Sequence, residues 1–344
     1  MNFNLDLNEH DAAEISAAVN AVILRQQYID GPEVAALEKE FAARTGRSHA
    51  IAVGSGTDAI YIALKVASIG PGDEVITSAF GPAYTALAIA ETGATPIFAD
   101  VEPDSLAIDP YHAESLRSSR TRAIIPVHFF GDRRPYPGGC LLEDAAQVSP
   151  GVLDHPAEFT AFSCYPTKNL GAWGEAGMLV TDDGWYANIA RMRRDSGRSD
   201  RYTHHMDGLN MAMDEIQAAV LRVKLRTLTL RDERRRNAAA YYFNRLRGLR
   251  DIRTFWTPTK GYAPHLFVIQ TPHRDRIMEA LKNAGIPTLM HYPIAVPDQP
   301  VFQHVGEWPV ARKAASEVLS LPFFPDIKQS EQERVIYVIA NCLS

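Results

Sequence analysis

"FTAFSCYPTKNLGAWGEAGMLVT", residues 159–181, sets two apolar runs, 159–163 and 177–181, on either side of a glycine-rich loop that holds one lysine, Lys168. Each run has the length of a buried strand and is bounded by turn-forming residues. A loop lysine is ordinarily solvated, because an ammonium is costly to bury. Whether Lys168 is anything more depends on what the rest of the chain brings to it.

Runs of the same kind recur at residues 50–53, 74–77, 96–99, 123–127 and 140–143, with helical stretches between most of them. Short buried strands alternating with helices predict an α/β fold with a mostly parallel seven-stranded sheet. A helix over Glu9 to Arg25 precedes the strands, and a long helical pattern runs from Met213 to about Leu249, with Ile216, Val220, Val223 and Leu228 near one stripe. Beyond it, residues 264–270 read as a strand and 274–285 as a helix stopped by Gly285. Residues 330–343 read as a terminal helix opened by a Ser330-x-x-Glu333 capping box. These patterns predict a large domain over 1–230, with an N-terminal helical segment, and a small C-terminal α+β domain over 231–344.

Composition excludes several classes of partner. Acidic residues number 41 against 35 basic ones, for a net charge of -6, and no basic block is dense enough to follow a phosphate backbone. Nucleic acid is therefore not an expected partner. The basic run from Arg231 to Arg250 mixes acids and apolar residues at helical spacing and reads as a partly solvated helix. Cys140, Cys164 and Cys342 are far apart and form no C-x-x-C pair, so neither a disulfide framework nor structural zinc is expected. His204 and His205 are adjacent and have no third ligand at metal spacing, so no metal is expected. The chain shows neither a secretory leader pattern nor an apolar run long enough for a membrane span, and the reading is a cytoplasmic protein with no membrane partner.

"GSGTDAIYIAL", from Gly54, follows a strand directly and enters a helix. Glycines and a hydroxyl at such a turn leave N–H groups at the positive end of the helix dipole, which suits a phosphate; the same residues also suit a plain N-cap by Thr57. "LLEDAAQ", 141–147, ends a strand with Glu143 and Asp144. There an acid either faces a ligand, as strand carboxyl ends do in open sheets, or caps a helix. Ser163 closes the next strand, five residues before Lys168. A phosphate turn, a strand-end aspartate and a strand-end serine with a nearby lysine meet the demands of pyridoxal 5'-phosphate. Its aldehyde needs an amine, its ring nitrogen an anion, and its phosphate N–H and hydroxyl donors.

Eight segments in order, "SGTDA", "PGDEVI", "GATPIFADVEP", "AIIPVHFFG", "LLEDAAQ", "FSCYPTKNLGAWGEAG", "GLNMAMDEIQAAVLRVKL" and "GIPTLMHYPI", resemble the successive motifs of the DegT-like nucleotide-sugar aminotransferases, which have the aspartate-aminotransferase fold (fold type I). The resemblance spans residues from about Gly31 to Pro325. It implies that Lys168 forms the Schiff base with the cofactor and that Asp144 pairs with the ring nitrogen. Gln147 bonds the ring hydroxyl, and Gly56, Thr57 and Ser163 bind the phosphate. It also implies a homodimer in which Asn210 reaches the neighbouring subunit's phosphate. The substrates it implies are an amino-acid donor, L-glutamate, and a nucleotide-linked keto-sugar for amino-sugar biosynthesis. A sugar dehydratase is the rival enzyme, but its Schiff-base lysine is replaced by histidine; a cofactor-binding sensor without turnover is the rival outside enzymes.

The chain departs from that pattern in three places. "SAFGPAYTA" sets Pro82 where the family offers a stacking aromatic, leaving Phe80 or Tyr84 for the role. Residues 128–140 barely span a parallel crossover, so a loop is expected where the family uses a helix. The stretch 148–158 is also short, and "HYPIAVPDQP" has Pro297 near the place of a family histidine. His291 and Tyr292 either line a sugar pocket or cap the small domain.

Overall fold

The computed structural model describes residues 9–151, 153–154, 157–258, 262–302 and 305–343. Helices α1 (Glu9–Arg25) and α2 (Pro32–Thr45) lead into β1 (His49–Val53), α3 (Gly56–Val66), β2 (Glu74–Ser78), α4 (Tyr84–Glu91), β3 (Thr95–Ala99), α5 (Pro110–Ser115) and β4 (Thr121–Ile125). Strands β5 (Leu142–Asp144), β6 (Phe159–Ser163) and β7 (Gly177–Thr181) follow, then α6 (Gly184–Arg194) and the long α7 (Glu215–Leu246).

The strands form two ladders, ordered β3-β2-β4 and β1-β7-β6-β5. They meet where Val127 pairs with Asp144 in parallel: the His128 N–H donates to the Asp144 carbonyl at 3.0 Å, and the Asp144 N–H to Pro126 at 3.0 Å. Pairing is parallel except at β7, which runs antiparallel to both β1 and β6. Apolar side chains cover both faces, as parallel sheets require. Ile60, Leu64, Val75 and Leu179 build one core, and Leu37, Phe41, Phe162 and Val180 the other. Residues 128–140 form neither helix nor strand, as the short crossover predicts; Arg133 and Tyr136 tie this loop down through Glu143 and Glu114.

Past α7 lie β8 (Arg253–Thr254), β9 (Phe267–Gln270), α8 (Arg274–Asn283), α9 (Pro309–Glu317), β10 (Val318–Leu321) and α10 (Gln329–Leu343). Their antiparallel sheet, β10-β9-β8, packs around Tyr242, Phe267, Phe323 and Val335. Strands β8 and β10 were not legible in the pattern, being two and four residues long. The terminal helix begins one residue before Ser330, so the expected Ser330-x-x-Glu333 box does not open it; the Glu331 carboxylate instead accepts from the Lys328 N–H at 2.9 Å, which is the carboxylate half of such a box. The expected boundary at 230/231 falls inside α7. Its first half pairs with α1 and α2 through Arg222, Arg226 and Arg231, and its second half reaches Asp326 and Glu333 through Arg234 and Tyr241.

Candidate active site

The carboxyl ends of β4, β5 and β6 and the amino end of α3 line a cavity of ≈ 810 Å³. Ser55, not Thr57, caps α3: its Oγ accepts from the Asp58 N–H at 3.0 Å. Gly56 and Thr57 therefore sit in the first turn, where N–H groups have no carbonyl within the helix to accept them, and both line the cavity. Ser163 stands beside them. A Cβ on Gly56 would lie 2.9 Å from that of Ser163, and one on Gly177 would lie 2.3 Å from the Ser55 carbonyl oxygen. Glycine at both positions lets the helix end approach β6 and β7 and forms a cradle of N–H and hydroxyl donors.

Asp144 is 2 % exposed and caps no helix. Its Oδ2 accepts from the Thr85 hydroxyl at 2.5 Å and its Oδ1 from the Ala146 N–H at 2.9 Å. Lys168 lies on the same cavity. Burial lowers its pKa to about 8, against the charges of Asp144 and Cys164, which raise it. An amine with that pKa is about half unprotonated at pH 8, which suits a nucleophile or base. Lys168 is half-buried on the cavity and is not a freely solvated loop lysine.

Gln147 lines the cavity with both ends of its amide engaged. Its Oε1 accepts from the Phe130 N–H at 2.8 Å and its Nε2 donates to the Tyr292 hydroxyl at 2.9 Å, which leaves one amide proton. Pro82 and Tyr84 also line the cavity. Phe80 does not: it is fully buried, edge-on to Phe129 at 5.5 Å, so the open choice of aromatic narrows to Tyr84. His291 and Tyr292 line the same cavity, with His291 Nδ1 2.8 Å from Ser320 Oγ. Burial, helped by the charge of Lys168, lowers the His291 pKa to about 4, so it acts as a neutral imidazole. Burial also raises the Tyr292 phenol.

Asn210 is not brought to this cavity. It is exposed and bridges to Asp195, while Asp214 caps α7 by accepting from the Gln217 N–H at 2.9 Å; the helix-cap reading of Asn210 is therefore overturned. His204 is exposed and bonds Ser196, and no metal-holding cluster exists among the described residues. Sequence reasoning missed Thr85, His128 and His265. His265 is 5 % exposed, lines the cavity, and has a buried Nδ1 with no hydrogen-bond partner among the described residues; burial and the charges of Lys168, Arg235 and His291 hold it well below the usual histidine pKa. In "PHLFVIQ" a histidine entering a strand carries no mark that separates it from a core residue.

The family model described as the DegT/DnrJ/EryC1/StrS aminotransferase family matches residues 9–137 and 138–340. The chain belongs to this family. It is 38% identical to a "Pleiotropic regulatory protein" of Geobacillus stearothermophilus, with 98% of this chain and 97% of the relative covered. It is also 38% identical to the dTDP-3-amino-3,4,6-trideoxy-alpha-D-glucose transaminase of Streptomyces venezuelae, covering 94% and 90%. The crystal structure of DesV from S. venezuelae, in complex with a ketimine intermediate, superposes with a TM-score of 0.92 at 36% identity, covering 97% of this chain and 95% of DesV. The expected family and its α/β aminotransferase fold stand, with the strands of the large domain in ladders of three and four. The protein is an aminotransferase whose cofactor is pyridoxal phosphate. The residues fit that cofactor: the glycine-spaced cradle suits its phosphate, Asp144 supplies a buried anion, and Lys168 a low-pKa amine. No helix among the described residues is long and apolar enough to cross a membrane.

Proposed function

We propose that this aminotransferase moves an amino group from L-glutamate to carbon 3 of a nucleotide-linked keto-sugar, for amino-sugar biosynthesis. The carrying observation is that Lys168, with a pKa of about 8, shares one cavity with the buried Asp144 and the α3 cradle. The relative from Streptomyces venezuelae, a transaminase of a dTDP-3-amino sugar, supports the substrate class and the carbon.

When bound, pyridoxal phosphate supplies an electron sink for the carbon next to the transferred nitrogen. Gly56, Thr57 and Ser163 would hold its phosphate, Asp144 would face its ring nitrogen as the anion, and Gln147 would offer its free amide proton to the ring hydroxyl. Tyr84 and Pro82 would line the side of the site against the ring. Lys168 would hold the cofactor through its amine, and its Nζ would hold or move a proton. Neutral His291 and Tyr292 offer hydrogen bonds suited to sugar hydroxyls. The working unit is a homodimer in the cytoplasm, with Asn210 of the partner subunit reaching the phosphate. Within each chain, a large domain over 1–230 carries the cofactor, and a small domain over 231–344 adds His265, His291 and Tyr292 to the cavity lining.

The test is spectroscopic and chemical. Holoprotein mixed with L-glutamate should change its cofactor absorbance and release 2-oxoglutarate, and a panel of nucleotide-linked keto-sugars should yield one aminated product by mass spectrometry, with NMR locating the nitrogen. Amination at another carbon would overturn the position. No spectral change with any amino acid would favour the second reading, a cofactor-binding regulator, which the regulatory relative's name motivates.

A further inference from the structure

Lys168 sits in an irregular loop, and such a loop does not by itself hold a side chain in place. One face of α7 reaches it three times. Gln217 Oε1 accepts from the Trp173 N–H at 2.9 Å, Lys224 Nζ donates to the Gly171 carbonyl at 2.5 Å, and Asp232 Oδ1 accepts from Asn169 Nδ2 at 3.3 Å. These positions recur at about two-turn intervals, so one helical face serves all three.

Asp232 differs from the other two because its second oxygen is committed elsewhere. Oδ2 accepts from Ser149 Oγ at 2.6 Å, two residues after Gln147. One carboxylate thus joins the loop that carries Lys168 to the loop that carries Gln147. Asp232 is 6 % exposed and Asn169 9 %, and the Asn169 amide also donates to the Ala263 carbonyl at 3.2 Å. A buried carboxylate is a costly way to fill space on a helix face, and an apolar residue would fill it at less expense.

We propose that Asp232 is a positioning residue of the active site, clamping the Lys168 loop to the Gln147 loop and so keeping the Lys168 amine inside the cavity. It touches neither the amine nor the cofactor site and acts through Asn169 and Ser149. The proposal goes beyond the sugar reading and does not depend on it.

The clamp has a consequence that a purely structural carboxylate lacks. The charged and titratable groups that act on Lys168 are Asp144, Cys164, His265 and His291, and those that act on Asp232 are Arg235 and Arg44. Burial is what lowers the Lys168 pKa to about 8. If the clamp is released, the amine gains water and its pKa climbs toward the ordinary lysine value of about 10.4.

The experiment is competitive acylation of the full-length chain freed of cofactor, across pH, with the Lys168 peptide quantified by mass spectrometry. Wild type should titrate near 8. In Asp232→Leu, which removes both acceptors at similar volume, and in Asp232→Ala, the midpoint should rise by at least about half a unit, a roughly twofold loss of free base at pH 8. Asn169→Ala should give the same shift, and combining it with Asp232→Ala should add little, as for two parts of one link. Arg234, on the same helix as Asp232, forms an exposed pair with Asp326, and Arg234→Ala should leave the midpoint alone. An unchanged midpoint in folded Asp232→Leu, or an equal rise in Arg234→Ala, would overturn the proposal. Should Asp232→Ala fail to fold, Asp232→Leu and Asn169→Ala decide. Labelling involves no amino donor or sugar, so its outcome is separate from that of the turnover assay.

Discussion

Glu143 and Asp144 are neighbours on β5, 1 % and 2 % exposed, yet their surroundings are opposite. Successive strand residues point to opposite faces. Glu143 meets the Arg133 guanidinium through both oxygens, at 2.7 and 2.9 Å, with His128 Nε2 at 3.4 Å. Asp144 receives only a hydroxyl and a backbone N–H. Both carboxylates keep acceptor sites free, and what differs is charge: the Arg133 guanidinium sits directly on Glu143, whereas both hydrogen-bond donors to Asp144 are neutral. Two equally buried acids therefore differ in role: Glu143 anchors the crossover loop, and Asp144 faces the cavity with its charge unpaired by a direct salt bridge.

Glu143→Ala should show the largest effect. Removing one partner of a buried pair leaves Arg133 and His128 uncompensated, a loss of about 3–5 kcal/mol in unfolding free energy. Urea unfolding measures it, and a loss under about 1 kcal/mol would erase the contrast. Turnover per folded molecule should stay within about threefold of wild type, because Glu143 does not line the cavity.

Asp144→Asn should reverse that pattern. The amide keeps the size and can still accept from Ala146, so unfolding should shift by less than about 1 kcal/mol. Loss of a charge-assisted bond of about 1.5–3 kcal/mol should lower kcat about 10- to 150-fold. Near-normal kcat would mean that the free face of β5 is as inert as the other.

Gly56→Ala sharpens the contrast from the phosphate side. The added methyl meets Ser163 Cβ at 2.9 Å and should cost about 1–3 kcal/mol of overpacking. We expect weaker cofactor retention in equilibrium dialysis; unchanged retention would show that the cradle does not depend on that approach.

The smallest effect is in pH. Burial would raise the Glu143 pKa, but His128 and Arg133 hold it below the usual carboxylate value. A depressed folded pKa stabilises the protein above the unfolded value of about 4.3, and that stabilisation is lost as pH falls through the depressed value. Acid unfolding of Glu143→Gln should lack this contribution and show a shallower slope below about pH 4.3. Identical slopes would assign the acid limb to other groups.

Much of the site was legible because local chemistry announced it. Asp144, Ser163 and the Gly56-Thr57 turn stand at strand ends or at a strand-to-helix junction, which apolar runs mark in one dimension, while Lys168 and Gln147 lie in the loops that follow and were reached through the family motifs. The competing cap assignments failed because caps are chosen by backbone geometry, which put Ser55 at one helix start and Asp214 at another. Phe80 and Tyr84 could not be separated by spacing. One faces the aromatic cluster with Phe129 and the other the cavity, a difference set by how the chain turns at Gly81 and Pro82.

The sequence by itself determined the strand and helix alternation of the large domain and the family, and it singled out Lys168 and Asp144 as candidates, since periodicity and motif are properties of neighbouring residues. Only the tertiary structure decided that Asp144 and not Glu143 faces the cavity, that Thr85 and His265 stand beside the reacting groups, and that Asp232 ties Asn169 to Ser149. Those relations join residues far apart in the chain. They are set by the packing of α7 and α4 against the sheet and by the alternation of faces along β5, which become definite only when the elements close on one core.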